Sequence, residues 1–141
     1  VVSINLFLEL YMEIKLLEHV NLRTTNINRL EKWYCQTLGL KNGYRPPFKA
    51  NGRWLYAGDI PMVHLLDVKK QQICEDPTME HFAMRCSDLK AFLKKLKEMS
   101  IPYRGVRIPE LRVFQINITD PDGNNMHLDF PPKEADELGF D

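Results

Sequence analysis

The chain has 141 residues, 44% hydrophobic and 27% charged, and its 19 basic and 19 acidic side chains cancel to a formal net charge of zero. That length suits one compact domain, or two small modules sharing a core, and is too short for two independent ones. Without a charge excess there is no footprint for nucleic acid or an anionic membrane, so a small molecule is the expected partner.

In chain order, the apolar run 1–11 (VVSINLFLELY) lacks a basic start and a small-residue cleavage site and is too short to span a bilayer; it reads as an N-terminal extension. MEIKLLEHVNLRT (12–24) is strand-like, and Thr24-Thr25-Asn26 can cap the helix that follows. In that helix Ile27, Leu30, Tyr34 and Leu38 recur at steps of three and four, with Gly39 placed as its stop. Three short strands are predicted around Lys41–Arg45, Arg53–Ala57 and Pro61–Leu66, set apart by Pro46-Pro47, Asn51-Gly52 and Gly58-Asp59.

A polar linker (68–78) ends the first module (12–67), and the order restarts in a second (79–131). MEHFAMRC reads as a strand, Ser87 as a cap, and Leu89, Phe92, Leu93, Leu96 and Met99 as one face of a helix ending near Ser100. Strands around Tyr103–Arg107 and Leu111–Ile118, a DPDG turn and the strand Asn124–Phe130 complete it, leaving an acidic tail at 132–141. The fold class is α+β: tandem βαβββ modules forming a curved, barrel-like mixed sheet with outer helices. Cys35, Cys74 and Cys86 make an odd count without CxxC spacing, which suits reduced thiols in a cytoplasmic protein.

The repeat is visible residue by residue. LEHVNLRT and MEHFAMRC place His19 and His81, and Arg23 and Arg85, 62 residues apart, while VHLLD and MHLDF place His64 and His127 63 apart. These two pairs account for all 4 histidines. A single strand histidine is usually a hydrogen-bonded structural residue, and duplication alone would carry such a pair into both halves. Yet if the two curved sheets face each other as pseudo-symmetric halves, four neutral imidazoles converge in one trough, a ligand set for Zn, Ni, Co, Fe(II) or Mn.

The tandem pattern, LLEHVNLRT followed by a helix and LGL, the EHFAMRC restart and the closing DPDGN turn resemble the vicinal oxygen chelate superfamily over about Leu16 to Phe130. That group includes glyoxalase I, fosfomycin-resistance enzymes, extradiol dioxygenases, methylmalonyl-CoA epimerase and bleomycin-resistance proteins. The resemblance implies a divalent metal on the first and last strands of each module, here His19, His64, His81 and His127. It also implies a substrate-carboxylate role for Arg23, with Arg85 as its repeat partner, and a homodimer in which modules pair across chains. Whether the imidazoles meet within one chain or across two is left open. The family's usual last-strand glutamate is replaced by His127, which leaves the full charge on the cation and removes a proton-shuttling base. No carboxylate substitutes convincingly: Asp129 lies at the strand end, and Glu18 and Glu80 are expected to point away from their histidines. His127 could itself serve as the catalytic base.

Two functions follow. The first is a metal-dependent lyase, isomerase or transferase acting on a small oxygen-chelating, anionic substrate. The alternative is a metal-free binding or drug-sequestering protein of the bleomycin-resistance type, with Tyr44, Phe48, Trp54, Tyr56, Tyr103 and Phe114 lining an aromatic cleft; of these Tyr56 is the first candidate for substrate contact.

Overall fold

A computed structural model describes Met12, residues 14–70 and residues 75–140. The extension 1–11 and Cys74 lie outside them. The first module runs β1 (Val20–Thr24), α1 (Ile27–Leu38), β2 (Lys41–Asn42), β3 (Gly52–Ala57) and β4 (Ile60–Asp67). The second runs β5 (Phe82–Arg85), α2 (Leu89–Glu98), β6 (Arg104–Ile108), β7 (Val113–Thr119) and β8 (Asn125–Phe130), followed by α3 (Pro132–Asp136).

Each module closes one four-stranded mixed sheet, ordered β1-β4-β3-β2 and β5-β8-β7-β6. In both, the first strand pairs parallel with the last, Val20 opposite Val63 and Phe82 opposite Met126, and the other ladders are antiparallel. The parallel pair is possible because the helix carries the chain back across one face of the sheet. The expected α+β architecture of two βαβββ units is the one observed.

Capping chemistry sets the helix limits. Asn26 Oδ1 accepts the Arg29 N–H at 3.1 Å, and Gly39, at φ 71°, ends α1 in the left-handed conformation that glycine adopts without penalty. In α2 the cap is Asp88 rather than the expected Ser87: its Oδ1 accepts from Ala91 N at 3.1 Å. A second carboxylate reaches the same helix end from the tail, where Glu134 Oε2 accepts the Leu89 N–H at 2.6 Å. The tail therefore packs as part of the second module. The first strand is shorter than 12–24 because its ladder to β4 begins only at Val20, while Ile14, Leu16 and Leu17 stay exposed.

One apolar core runs through both modules. Leu22, Leu55, Val63 and Leu65 meet Leu30 and Tyr34 of α1, and Ile116, Met126 and Leu128 join Leu89 and Leu96 of α2. Because strand residues alternate faces, burying these leaves the helix-free face of each sheet to the intervening positions. The modules are also tied across the molecule. Tyr34 of α1 donates its hydroxyl to Asp120 Oδ2 in the β7–β8 turn at 2.9 Å, and Arg29 pairs with Asp122. Asp120, 4% exposed, also takes the Asp122 and Asn124 N–H groups on Oδ1 at 2.9 Å each, and the Asn124 amide on Oδ2 at 2.8 Å. Among the described residues no helix is long and apolar enough to cross a membrane.

Candidate functional site

The alternation that sends Leu22 and Val63 into the core turns Asn21 and Arg23 of β1 and His64 of β4 toward the helix-free face, where His19, just ahead of β1, joins them. The parallel register sets Asn21 beside His64, and His19 reaches back to stack on the His64 ring, centroids 3.9 Å apart and planes 15° apart. The second module repeats this. His81 stacks on His127 at 4.0 Å and 16°. Each expected first-strand histidine thus meets its own last-strand histidine, and the structure assembles two pairs. Among the described residues no group of three or more His, Cys, Asp or Glu comes together as a metal-binding cluster.

The first-strand histidines carry a further partner. Nδ1 of His19 lies 3.3 Å from Glu18 Oε1, and Nδ1 of His81 contacts Glu80 Oε2. The expectation that these glutamates point away is corrected: Glu18 and Glu80 precede the strands β1 and β5, so strict alternation does not yet govern them. A carboxylate accepting from Nδ1 fixes the proton there and leaves Nε2 with a free lone pair, the arrangement that orients histidines toward metals. The contact with His81 also holds the Glu80 carboxyl below its ordinary pKa.

The last-strand partners sit in drier surroundings. Burial, then the neighbouring His19, lower the His64 pKa, opposed by a hydrogen bond to the Pro61 backbone. His127 is lowered by burial and by His81, opposed by Asp129 and Glu80. Both imidazoles therefore stay neutral at lower pH than a free histidine. His64 is 8% exposed, and its Nε2 is buried without a hydrogen-bond partner. Leaving such a nitrogen unpaired costs on the order of 1–3 kcal/mol, so it marks a place where a ligand or cation would be welcome. Asp129, on the same face of β8 as His127, likewise has a buried, unpartnered Oδ1.

The other expected contacts divide. Arg23 and Arg85 are exposed at the ends of β1 and β5, opposite Leu66 and Asp129 in register. Trp54 belongs to the site: its indole stacks on His64 at 4.2 Å and 8°, extending the His19–His64 pair into three layers. Tyr56 donates its hydroxyl to the Tyr44 carbonyl at 2.7 Å, and its ring covers Gly43. Phe114, 2% exposed, is core, and Tyr44 and Tyr103 are exposed. Cys35 and Cys86 are free and half-buried, and burial pushes the Cys86 thiol up to about 11, away from reactivity.

A residue the sequence reading passed over completes the first-module face. Arg45 lines a cleft of about 300 Å³ with Glu18, His19, Asn21, Trp54 and His64. The available signal was its spacing: Arg107 lies 62 residues on, the same step that relates the histidines. A larger cleft of about 740 Å³ opens beside Glu80 and His81, between Arg29, Lys69, Lys70 and the β7–β8 turn.

Paired βαβββ modules, each presenting a first-strand and a last-strand histidine on its open face, define a class of fold and site. The Glyoxalase/Bleomycin resistance protein/Dioxygenase superfamily model matches residues 16–128, and the chain belongs to that superfamily. Comparison with curated proteins by sequence finds no match. Among solved structures, a glyoxalase-family protein from Bacillus anthracis superposes with TM-score 0.70 at 18% identity, covering 86% of this chain and 99% of its own. The lactoylglutathione lyase of Agrobacterium tumefaciens gives 0.63 at 17%, covering 84% and 96%. TnmS3, an antibiotic binding protein from Streptomyces sp. CB03234, gives 0.63 at 19%, covering 86% and 99%. At these identities the likeness is one of fold.

Proposed function

We propose that the protein is a metal-dependent enzyme of the glyoxalase type, of lyase, isomerase or transferase chemistry, acting on a small oxygen-chelating substrate. A divalent cation (Zn, Ni, Fe or Mn) would be held by His19 and His64 of one module and His81 and His127 of another. The observation that carries this reading is the twice-built pair in which Glu18 or Glu80 fixes Nδ1 of its histidine, together with the buried, unpartnered Nε2 of His64. Neutral imidazoles are the ligand type that Zn, Ni and Fe(II) favour. Each face offers two of the four imidazoles, which supports a homodimer in which the first module of one copy would complete the second module of its partner and leave further positions for substrate oxygens.

When bound, the cation would polarise neighbouring substrate oxygens and stabilise negative charge developing on them. The chain's own residues do the rest. Glu18 and Glu80 hold the imidazoles to one tautomer, and the burial that keeps His64 and His127 neutral leaves their lone pairs available. Arg23 and Arg85 stand at strand ends on the same faces, where a guanidinium would pair with an anionic substrate group. Asp129 offers a buried carboxylate oxygen on the His127 face of β8, and it is the candidate for moving a proton in place of the family's glutamate.

Protein purified without an affinity tag should carry a transition metal at about one atom per four histidines. Glu18→Gln and Glu80→Gln should each weaken metal affinity by about 10–100-fold while leaving the circular dichroism spectrum unchanged. A chain that takes up neither zinc nor cobalt by calorimetry would overturn the reading. The alternative, a metal-free binding protein, is favoured by one feature: the flat Trp54–His64–His19 stack, a surface suited to an aromatic ligand. It predicts ligand binding unaffected by chelators.

A further inference from the structure

The two arginines related by the repeat are used differently. Arg107, on β6, is spent within the fold: its Nη2 donates to Asp136 Oδ1 and to the Phe140 carbonyl, both at 2.8 Å, with the guanidinium 6.0 Å from the Phe114 ring centroid. Arg45, 62 residues earlier, is held by different partners. Its Nη2 donates to the Ala50 carbonyl at 3.0 Å, its guanidinium carbon stands 5.0 Å over the Phe48 ring, and its buried Nε has no partner.

The surroundings hold that guanidinium in place. A Cβ at Gly52 would lie 2.9 Å from Arg45 Nε and Nη2, so the bare glycine makes the room in which it lies against β3. Pro46 and Pro47 follow directly and restrict the backbone that presents it. The cleft it enters also contains His64, whose Nε2 is the other unpartnered buried nitrogen of this face. Its single carboxylate, Glu18, is engaged by His19.

A guanidinium with an unsatisfied, buried donor, pre-positioned by a backbone carbonyl and a ring face, is built to receive planar oxygen acceptors. We propose that Arg45 is the anchor of an oxyanion subsite on the first-module face, taking the carboxylate or phosphate-type group of a small ligand whose body lies along Phe48 and Trp54. The subsite rests on the cleft alone and holds with or without a metal at the histidines. It names the substrate class more closely than the exposed Arg23 and Arg85 do: an acid with a flat apolar body, its charged end beside His64.

Calorimetric titration of the full chain, freed of metal by a chelator, tests this with benzoate, inorganic phosphate and neutral benzamide. Benzoate should bind with Kd about 1 mM, the range open to a ligand of its size, and benzamide at least about tenfold more weakly. Arg45→Gln should weaken benzoate about tenfold or more, and Arg45→Lys, which keeps the charge but loses the planar fork, by less. Circular dichroism of both variants verifies the fold. Phosphate binding that is lost in Arg45→Gln, with benzoate inert, supports the subsite with phosphate-type acids as its ligands. Benzamide matching benzoate, an Arg45→Gln variant binding as wild type, or no binding of either anion below about 20 mM would each overturn the proposal.

Discussion

Asp120→Ala is expected to lower the unfolding free energy by about 3–5 kcal/mol and the midpoint of thermal unfolding by about 10 °C. The effect is large because one buried carboxylate accepts from four donors: the Tyr34 hydroxyl, the Asp122 and Asn124 backbone N–H groups, and the Asn124 amide. Its removal strands the Tyr34 hydroxyl, which burial and the adjacent carboxylate already hold in its protonated, donating form. It also loosens the turn that leads into β8 and so the placement of His127. Tyr34→Phe removes a single donor and should cost about 1 kcal/mol. Urea unfolding followed by circular dichroism checks both; a loss under about 1 kcal/mol for Asp120→Ala would mean that the turn is held by something else.

Complementation between copies gives the second large effect. A chain carrying His19→Ala and His64→Ala keeps only the second-module pair, and one carrying His81→Ala and His127→Ala keeps only the first. Alone, each should lose metal affinity by at least about a hundredfold, since two imidazoles remain of four. If the site is shared between copies, unfolding and refolding the two together creates heterodimers with one intact site. Statistical mixing should then restore about one quarter of a metal per chain, a quarter of the wild-type content. Absence of any recovery, with mixed dimers verified by mass, would rule out the shared site.

Much of this arrangement is visible in the sequence because its signals are local. Asn26 and Gly39 bracket α1 through capping, and strand alternation places His64 and Leu65 on opposite faces whatever the rest of the molecule does. The histidine pairs follow from the repeat itself, because equal spacing in a duplicated unit means equal position. What escaped depends on contacts distant in the chain. Nothing near Tyr34 announces that its hydroxyl crosses to Asp120 in the other module, and nothing in the acidic tail announces that Glu134 caps α2. Glu18 and Glu80 lie past the ends of the ladders, where alternation no longer decides which way a side chain points. Arg45 escaped because its importance lies in donors left over, which become visible only when Arg107, its counterpart, is seen fully engaged.

The Trp54 indole lies face to face with His64. An excited indole in van der Waals contact with an imidazole gives up electron density to it readily once the imidazole becomes cationic, and far less when it is neutral. The chain therefore carries its own optical reporter beside the candidate centre. Emission from Trp54 should dim as His64 acquires positive charge, while Trp33, packed edge-on against Tyr34 in α1, supplies a constant background.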